Sequence, residues 1–389
     1  MSTQSLKPGW KMVNFGEVVK NANLVEREPE ANGVEKIVGL EHIDPENLHI
    51  RRWNSVADGT SFTRKFVPGQ TLFGKRRAYQ RKVAYAEFEG ICSGGILTFE
   101  PKNRKILLPE LLPFICQSDA FFNHALDTSA GSLSPRTSWT ALKDFEFPLP
   151  PLDEQKRIAE ILWAADEAVE QWRRVYSVLN ILTSVHRVEF FSRKNWPTKK
   201  LKNLFSVQLG KMLSPKAKTG NSSFKYLANY NVQWDRIDLE KVQEMDFSEK
   251  EREKFALVPG DILVCEGGEV GRSAIWHGEI ENCYYQKALH RLRPISNFSS
   301  EVMLQFMMWA DRKGLFKALT GHSTIAHLTA IKLKEMDVPV PSDKEQAIVE
   351  LIFRELNSAR HIISEQIAKT TELKQSLSCG LLSNGVRHV

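Results

Sequence analysis

The segment closest to a catalytic motif lies at residues 69–76 (GQTLFGKR) and is similar to a phosphate-binding loop. Such a loop requires Ser or Thr directly after its lysine to hold Mg²⁺, whereas this position is occupied by Arg76, which cannot ligate a cation. Residues 267–271 (GGEVG) lack the spacing of a dinucleotide-binding turn, and His322 and His327 have no cysteine nearby to complete a metal site. The sequence therefore predicts no catalytic residue and no metal site.

The five cysteines offer no metal or disulfide framework, because no two of them lie within four residues of each other. We expect reduced and mostly buried thiols. No window approaches the ~18 uncharged apolar residues of a membrane-spanning helix, and the N-terminus lacks the apolar core of a secretory signal. These features predict a cytoplasmic protein of 389 residues, long enough for two domains.

Basic residues are concentrated in two segments, although the net charge of the chain is only +6. Residues 51–82 contain nine basic side chains and one acid, Asp58, while residues 199–218 contain six lysines and no acid. Aromatic side chains such as Trp53 and Tyr79 lie between the basic residues of the first segment. Because a surface that follows a nucleic acid backbone combines these features, the pattern indicates either a DNA-binding surface or an ordinary solvated basic face.

The chain contains an internal repeat in which two distant blocks recur at the same separation. Residues 67–72 (VPGQTL) reappear at 258–263 as VPGDIL, and residues 147–155 (FPLPPLDEQ) reappear at 338–346 as VPVPSDKEQ. Equal separations for two distant blocks mean equal lengths between them, which coincidence explains poorly. The sequence therefore predicts two copies of one unit.

Each unit combines short strands with helices. Short apolar runs at 260–265, 272–276 and 288–292 are bounded by Gly, Asn or Pro, as strands are. The segments 110–127 and 300–320 instead carry apolar residues at helical spacing. We therefore predict the α+β class for both units.

A long helix is expected after each Pro-x-Pro block, at 154–190 and 345–378. Apolar residues there alternate steps of three and four, which is the spacing of a coiled-coil seam. A stripe this long exceeds what one domain can cover, so we predict that the two helices pair as an antiparallel coiled coil, with pseudo-two-fold symmetry between the units. The predicted seam consists of Ile158, Leu162, Val169, Trp172, Tyr176, Leu179, Ile352, Leu356, Ile363 and Leu373.

These patterns divide the chain into four segments. The first unit is predicted at 1–152, the central helix and linker at 153–192, the second unit at 193–342 and the C-terminal helix at 343–382.

The repeat, the PLPPLDEQKRI block at 148–158 and the long helices resemble the specificity subunit of a Type I restriction–modification enzyme. Further matching features are residues 226–232 (YLANYNV) and the VPGDIL block followed by Gly271-Arg272. The second Pro-x-Pro block departs from the pattern, since Pro341 is followed by Ser-Asp-Lys-Glu-Gln. The resemblance extends over essentially the whole chain.

The resemblance implies a non-catalytic subunit of a host defence system. Each unit would be a target recognition domain that reads one half of a bipartite, asymmetric double-stranded DNA target. The helices would set the spacer and dock two methyltransferase (modification) subunits, through which restriction subunits join. S-adenosylmethionine, ATP and Mg²⁺ would bind to those partners, and no cofactor is expected in this chain. A stand-alone two-domain DNA-binding regulator is the alternative, and purification of the chain without a partner would favour it.

Candidate DNA contacts are mainly basic residues, because arginine forks onto guanine or phosphate. Hydroxyl residues are added where a turn precedes a helix, since a capped helix start can present N–H groups to phosphate. The predicted DNA-binding residues are Arg51, Arg52, Lys75, Arg76, Arg77, Arg81, Lys82, Ser134, Arg136, Lys211, Lys216, Lys218, Arg272, Lys287, Ser323 and Thr324.

Overall fold

The structure is a computed structural model that describes residues 5–192, 196–214, 220, 222–320, 327–383 and 386–387. The chain divides into two compact units. Unit 1 consists of Met1–Arg173 with Glu365–Val389, and unit 2 consists of Arg174–Ser364. Each unit therefore contains part of both long helices.

Unit 1 contains two principal sheets. Its strands are β1 (Ser5–Leu6), β2 (Lys11–Asn14), β3 (Val19–Asn21), β4 (Leu24–Val25), β5 (Lys36–Val38), β6 (Asn54–Ser55), β7 (Arg64–Phe66), β8 (Thr71–Gly74), β9 (Val83–Tyr85), β10 (Gly90–Cys92), β11 (Ile96–Pro101) and β12 (Glu146–Leu149). One sheet has the antiparallel order β3-β11-β8-β9. The other has the order β4-β7-β10-β5-β6, in which β10 and β5 are parallel. Strands β2 and β12 form a separate antiparallel pair.

Aromatic packing explains the stability of the first sheet. Strand β8 is buried along its whole length between β11 and β9. The Phe15 and Phe99 rings meet edge to face at 5.3 Å, and Phe73 meets Phe121 in the same way at 5.4 Å. Such aromatic pairs contribute beyond the area they bury. Short helices α1 (Phe15–Val18), α2 (Leu112–Gln117), α3 (Asp119–Asp127) and α4 (Trp139–Leu142) supply the residues that cover the sheet.

Unit 2 repeats the first sheet of unit 1. Its strands are β13 (Thr198–Lys200), β14 (Phe205–Leu209), β15 (Ser223–Leu227), β16 (Val232–Gln233), β17 (Arg236–Ile237), β18 (Gln243–Asp246), β19 (Ile262–Cys265), β20 (Ser273–Ile275), β21 (Tyr284–Tyr285), β22 (Leu289–Pro294) and β23 (Asp337–Pro339). The order β14-β22-β19-β20 has the same topology as β3-β11-β8-β9, and β19 follows the second VPG block as β8 follows the first. Both predictions, a duplicated unit and the α+β class, are confirmed.

Within the described residues, unit 2 also contains four short helices and part of each long helix. Its helices are α6 (Glu249–Phe255), α7 (Ser300–Arg312), α8 (Leu315–Thr320) and α9 (Ala330–Lys334), and the two long helices of the chain are α5 (Leu152–Ser192) and α10 (Asp343–Ser383). Strand β15 pairs parallel with β21, as β5 does with β10. A last strand, β24 (Val386–Arg387), returns to unit 1 and pairs antiparallel with β1.

Helices α5 and α10 pair in antiparallel orientation, as predicted. In unit 1 the Lys374 ammonium contacts the Asp166 carboxylate. In unit 2 the Arg187 guanidinium lies 5.8 Å from the centre of the Phe353 ring. The number of residues from Asp166 to Arg187 on α5 therefore equals the number from Phe353 to Lys374 on α10, and the two helices run in opposite directions. Both sequence separations equal three heptad repeats.

The apolar seam is interrupted by charged and polar residues. Leu373 is wrong as a seam residue, because it is 57% exposed while Lys374 is buried against Asp166. Arg187 and Thr183 are also buried on α5. Of the other predicted seam residues, Ile158, Leu162 and Val169 are buried, whereas Trp172, Tyr176, Leu179, Ile352, Leu356 and Ile363 are half-buried.

The Glu-Gln pair that recurs in both repeats, Glu154 and Gln155 in unit 1, fixes the start of α5 through hydrogen bonds. The Trp10 indole N–H donates to Glu154 at 2.8 Å. The buried Gln155 side chain accepts the Leu108 N–H and donates to the carbonyls of Ile106 and Pro150. Because buried backbone groups need partners, one glutamine satisfies three of them and fixes the helix to its domain.

The start of α10 uses the same contacts. Trp196 donates to Glu345 at 3.2 Å, and the Gln346 side chain accepts the Ser299 N–H and donates to the Pro341 carbonyl. The departure from the Pro-Pro pattern has a structural role, since Ser342 and Glu345 bond reciprocally as a capping box.

Candidate nucleic-acid interface

A short two-stranded pairing in unit 1 collects four of the predicted cations. Arg76 and Arg136 form an antiparallel bridge. The Arg77 N–H donates to the Pro135 carbonyl at 2.7 Å, and the Thr137 N–H donates to the Lys75 carbonyl at 3.0 Å. Two segments that are far apart in sequence therefore meet. We call the side chains of Lys75, Arg76, Arg77 and Arg136 the cationic ribbon.

The cationic ribbon has no acidic counterpart within the part of the chain that the structure describes, since no ion pair joins any of its four side chains to a carboxylate. Burial, followed by the positive charges of Arg64, Arg136 and Arg76, holds the pKa of Lys75 below its usual value. Like charges thus face one another, which costs free energy until an anion binds. A polyanion is the ligand that this arrangement suits.

The backbone of this surface is held in an uncommon conformation. Arg77 and Arg81 both have positive φ, 51° and 52°, and they flank a short 3₁₀ turn at Ala78–Gln80. Side chains with a Cβ rarely adopt this region, and such residues concentrate at functional sites. The turn leaves the Tyr79 ring 55% exposed beside the ribbon.

Arg81 differs from its neighbours because its charge is neutralised within unit 1. Its guanidinium contacts Glu46 at 2.9 Å and Asp119 at 2.8 Å, and it donates to the Gln117 carbonyl. It also stacks 4.5 Å from the centre of the Phe122 ring. These contacts assign Arg81 to the internal packing of the unit.

Other predicted cations of unit 1 have partners as well. Arg51 pairs with Glu170 at 2.8 Å, Arg52 pairs with Asp44, and the Lys82 ammonium donates to a backbone carbonyl at 2.6 Å. Ser134 is half-buried in the turn that precedes Arg136.

The predicted residues of unit 2 are less concentrated. Lys211 contacts Glu251 at 2.7 Å, and Arg272 contacts Glu269 at 2.9 Å. Lys287 is exposed next to Lys211, to whose carbonyl its N–H donates. The remaining candidates, Lys216, Lys218, Ser323 and Thr324, lie outside the described residues.

The short helix α9 of unit 2 is capped by a hydroxyl side chain, that of Thr329, which is not among the predicted site residues. Helix α9 begins at Ala330, and the Thr329 hydroxyl is its N-cap, accepting the Lys332 N–H. The hydroxyl that caps is the one directly before the first helical residue.

The two units share this backbone geometry but differ in charge. The bond from the Thr137 N–H to the Lys75 carbonyl is repeated in unit 2 between the Leu328 N–H and the Glu266 carbonyl, at 2.8 Å. The position of Lys75 is thus occupied by an acid. Aligning the two repeats in the sequence gives the same replacement, a signal that composition alone does not reveal.

Metal binding and thiol chemistry place separate requirements on the remaining titratable side chains of the described residues. His, Cys, Asp and Glu side chains form no group that could hold a metal ion there. Burial raises the pKa of Cys92 and of Cys283 to about 12 each, so these thiols are weak nucleophiles. No helix in the described part of the chain is long and apolar enough to cross a membrane.

The described chain thus combines a duplicated α+β unit, two antiparallel long helices and a cationic ribbon without acidic partners among the described residues. Residues 8–175 and 193–372 match the family of the Type I restriction modification DNA specificity domain, and the chain belongs to that family. The resemblance inferred from the sequence is confirmed.

Individual relatives agree with this assignment. The chain is 28% identical over 155 residues to the Type I restriction enzyme EcoDI specificity subunit of Escherichia coli, covering 36% of this chain and 34% of that protein. The matched region thus spans about a third of that relative. It is 26% identical over 132 residues to the MjaIX specificity subunit of Methanocaldococcus jannaschii, covering 34% of this chain and 29% of that one.

Solved structures share the fold over nearly the full length. The Type I restriction–modification S subunit of M. genitalium has a TM-score of 0.58 at 15% identity, with 98% of this chain and 99% of that chain covered. A chain from a study of assembly and conformational transition in the type I R-M system has a TM-score of 0.59 at 20% identity, with 97% and 98% covered.

Proposed function

We propose that this chain is the non-catalytic DNA specificity subunit of a Type I restriction–modification complex, in which each unit reads one half of a bipartite, asymmetric target. The cationic ribbon is the observation that carries the proposal. Its four positive side chains have no carboxylate partner among the described residues, and arginine is well suited to phosphate and guanine. Neutralising them requires an external anion.

The difference in charge between the units supports unequal half-sites. Unit 1 presents Lys75 where unit 2 presents Glu266 on the same backbone scaffold. A carboxylate accepts hydrogen bonds from the amino group of cytosine, whereas a cation donates to guanine or phosphate. Two such surfaces read different bases.

Exposed apolar residues on α5 support docking of methyltransferase subunits. Within unit 2 the second half of α5 leaves Val178 and Ile181 each 61% exposed. The stripe comprises Val175, Val178, Ile181, Leu182, Val185 and Val188. A contiguous apolar surface of this kind is typical of an interaction site, and a stand-alone regulator has no need for one. Two methyltransferase subunits would bring S-adenosylmethionine, while restriction subunits joined through them would bring ATP and Mg²⁺.

The DNA-binding proposal is tested by removing three cations of the ribbon together. We expect the chain with Arg76→Ala, Arg77→Ala and Arg136→Ala to bind a mixed-sequence duplex more weakly. The slope of log K against log salt should flatten by about 0.9 for each phosphate that is no longer neutralised. Fluorescence anisotropy over a series of salt concentrations measures both quantities.

A matched control is Arg157→Ala, which removes an exposed arginine of α5 that already contacts Glu154. This variant should keep the wild-type slope. Equal slopes for the wild type and the triple variant would exclude the ribbon from the DNA interface.

A further inference from the structure

The turn before Arg136 is a small hairpin with a fixed base. Ala130 and Arg136 exchange two backbone hydrogen bonds of 3.0 Å each, enclosing residues 131–135. Gly131 opens the loop with φ of 107°, a conformation that favours glycine. The Arg77 N–H holds the Pro135 carbonyl at 2.7 Å, which ties the end of the loop to the cationic ribbon.

Leu133 stands at the apex of this hairpin with 93% of its surface exposed. The next most exposed large apolar side chain among the described residues is Ile331, at 77%. The neighbours of Leu133 in the loop are Ser132 and Ser134, so the loop itself supplies no apolar companion. A single apolar side chain on a polar hairpin is too small to form a protein-docking patch.

The position of Leu133 is set by the residues that are proposed to hold DNA. Arg136, which bridges to Arg76, also closes the base of the hairpin. A phosphate backbone bound by these arginines therefore lies next to the apex. Proteins that bind the minor groove with arginines and lysines frequently insert an apolar side chain between base pairs and kink the duplex.

We propose that Leu133 is a wedge that enters the minor groove, separates two stacked base pairs and kinks the duplex at the half-site of unit 1. This inference rests on the proposed DNA binding and adds a mode of recognition to it. Sequence would then be read partly through deformability, because pyrimidine–purine steps unstack more easily than others. The fixed base of the hairpin supplies the rigidity that a wedge requires.

The test uses the full-length chain and a duplex that it selects from a random pool, with 2-aminopurine placed in turn across the selected site. We expect a rise in 2-aminopurine fluorescence at one step for the wild type, since this base brightens when unstacked. Leu133→Ser should abolish the rise, whereas Leu133→Met should keep it. Affinity for the duplex should fall less than about tenfold, because restored base stacking offsets the missing apolar interaction.

The control is Met12→Ser, which removes a half-exposed apolar side chain on β2, outside the hairpin and the ribbon. It should leave the fluorescence unchanged. The wedge is excluded if Leu133→Ser keeps the fluorescence rise. It is excluded too if replacing thymine by uracil in the duplex, with the wild-type chain, reproduces the effect of Leu133→Ser, which would indicate contact with a thymine methyl. It is also excluded if the variant changes only assembly with a methyltransferase subunit. Failure to select any duplex, both alone and together with the methyltransferase subunit of its own system, would instead contradict the proposed function itself.

Discussion

Arg81 lies in a basic segment of the sequence, but its guanidinium is neutralised by contacts within unit 1. It bridges Glu46 and Asp119 and stacks on Phe122. Its neighbours Arg76 and Arg77 have no carboxylate partner within the described residues. Charge that is already compensated contributes little to binding a polyanion.

Arg81→Ala should therefore act on stability. We expect the free energy of unfolding of unit 1 to fall by about 1–2 kcal/mol, because charge-assisted hydrogen bonds and the cation–π interaction are removed. The positive φ at this position does not contribute to the change in free energy of unfolding, because its steric cost comes from the Cβ, which alanine carries as arginine does. Urea denaturation measures the decrease. An unchanged midpoint together with a flatter salt slope for DNA binding would contradict this assignment.

At the residue scale the sequence predicted which segment is basic but not which cations are neutralised. Glu46 and Asp119 are distant from Arg81 in sequence and reach it only in the folded unit. The approach of Arg136 to Arg76 depends equally on tertiary structure. Leu133 carries no distinctive sequence signal, because its exposure is a property of the hairpin.

At the scale of elements, a buried ionic cluster joins the long helices to the body of unit 1. His49 lies 2.9 Å from Asp166 on α5 and 2.8 Å from Glu87, and Lys374 on α10 contacts Asp166 from the other side. Burial alone would lower the pKa of His49, but the contacts with Asp166 and Glu87 outweigh it and raise the pKa. Burial alone would raise the pKa of Asp166, but the contacts with His49 and Lys374 outweigh burial and lower that pKa.

The raised pKa of His49 predicts a pH-dependent stability of unit 1. A raised pKa stabilises the folded state below the ordinary value of 6.5, and this contribution disappears as the pH rises through the raised pKa. The difference in free energy of unfolding between the wild type and His49→Gln should therefore shrink as the pH rises above 6.5 and through the raised pKa. The decrease should be about 1.4 kcal/mol for each tenfold gain in proton affinity that folding gives His49. Urea denaturation across this range checks it. A difference in free energy of unfolding that instead grows with pH would mean that folding lowers the pKa of His49, which would contradict the stabilising contacts of this cluster.

The sequence predicted both long helices to within five residues at each end, since heptad spacing is a local signal. It placed Leu373 in the seam because an apolar pattern cannot anticipate a buried ion pair at Lys374. The Glu-Gln pairs were recognised only as a repeated motif. Their role follows from backbone groups around Leu108 and Ser299 that are distant in sequence.

At the scale of the whole molecule, the repeat corresponds to two compact units, which the proposed function makes two separate readers. The two four-stranded sheets have the same order, and each unit has its own hydrophobic cores. Under the proposed function, the different charges at Lys75 and Glu266 on one scaffold give each reader its own sequence preference. A modular protein of this kind should tolerate exchange of one reader.

The most direct test maps the methylated bases in DNA from cells that make the chain together with the methyltransferase subunit of its own system. The wild type should give a split, asymmetric motif. Exchanging residues 197–338 for those of a related subunit should change one half of that motif and leave the other half and the gap unaltered. A single continuous motif, or a change in both halves after the exchange, would contradict the account of two independent readers.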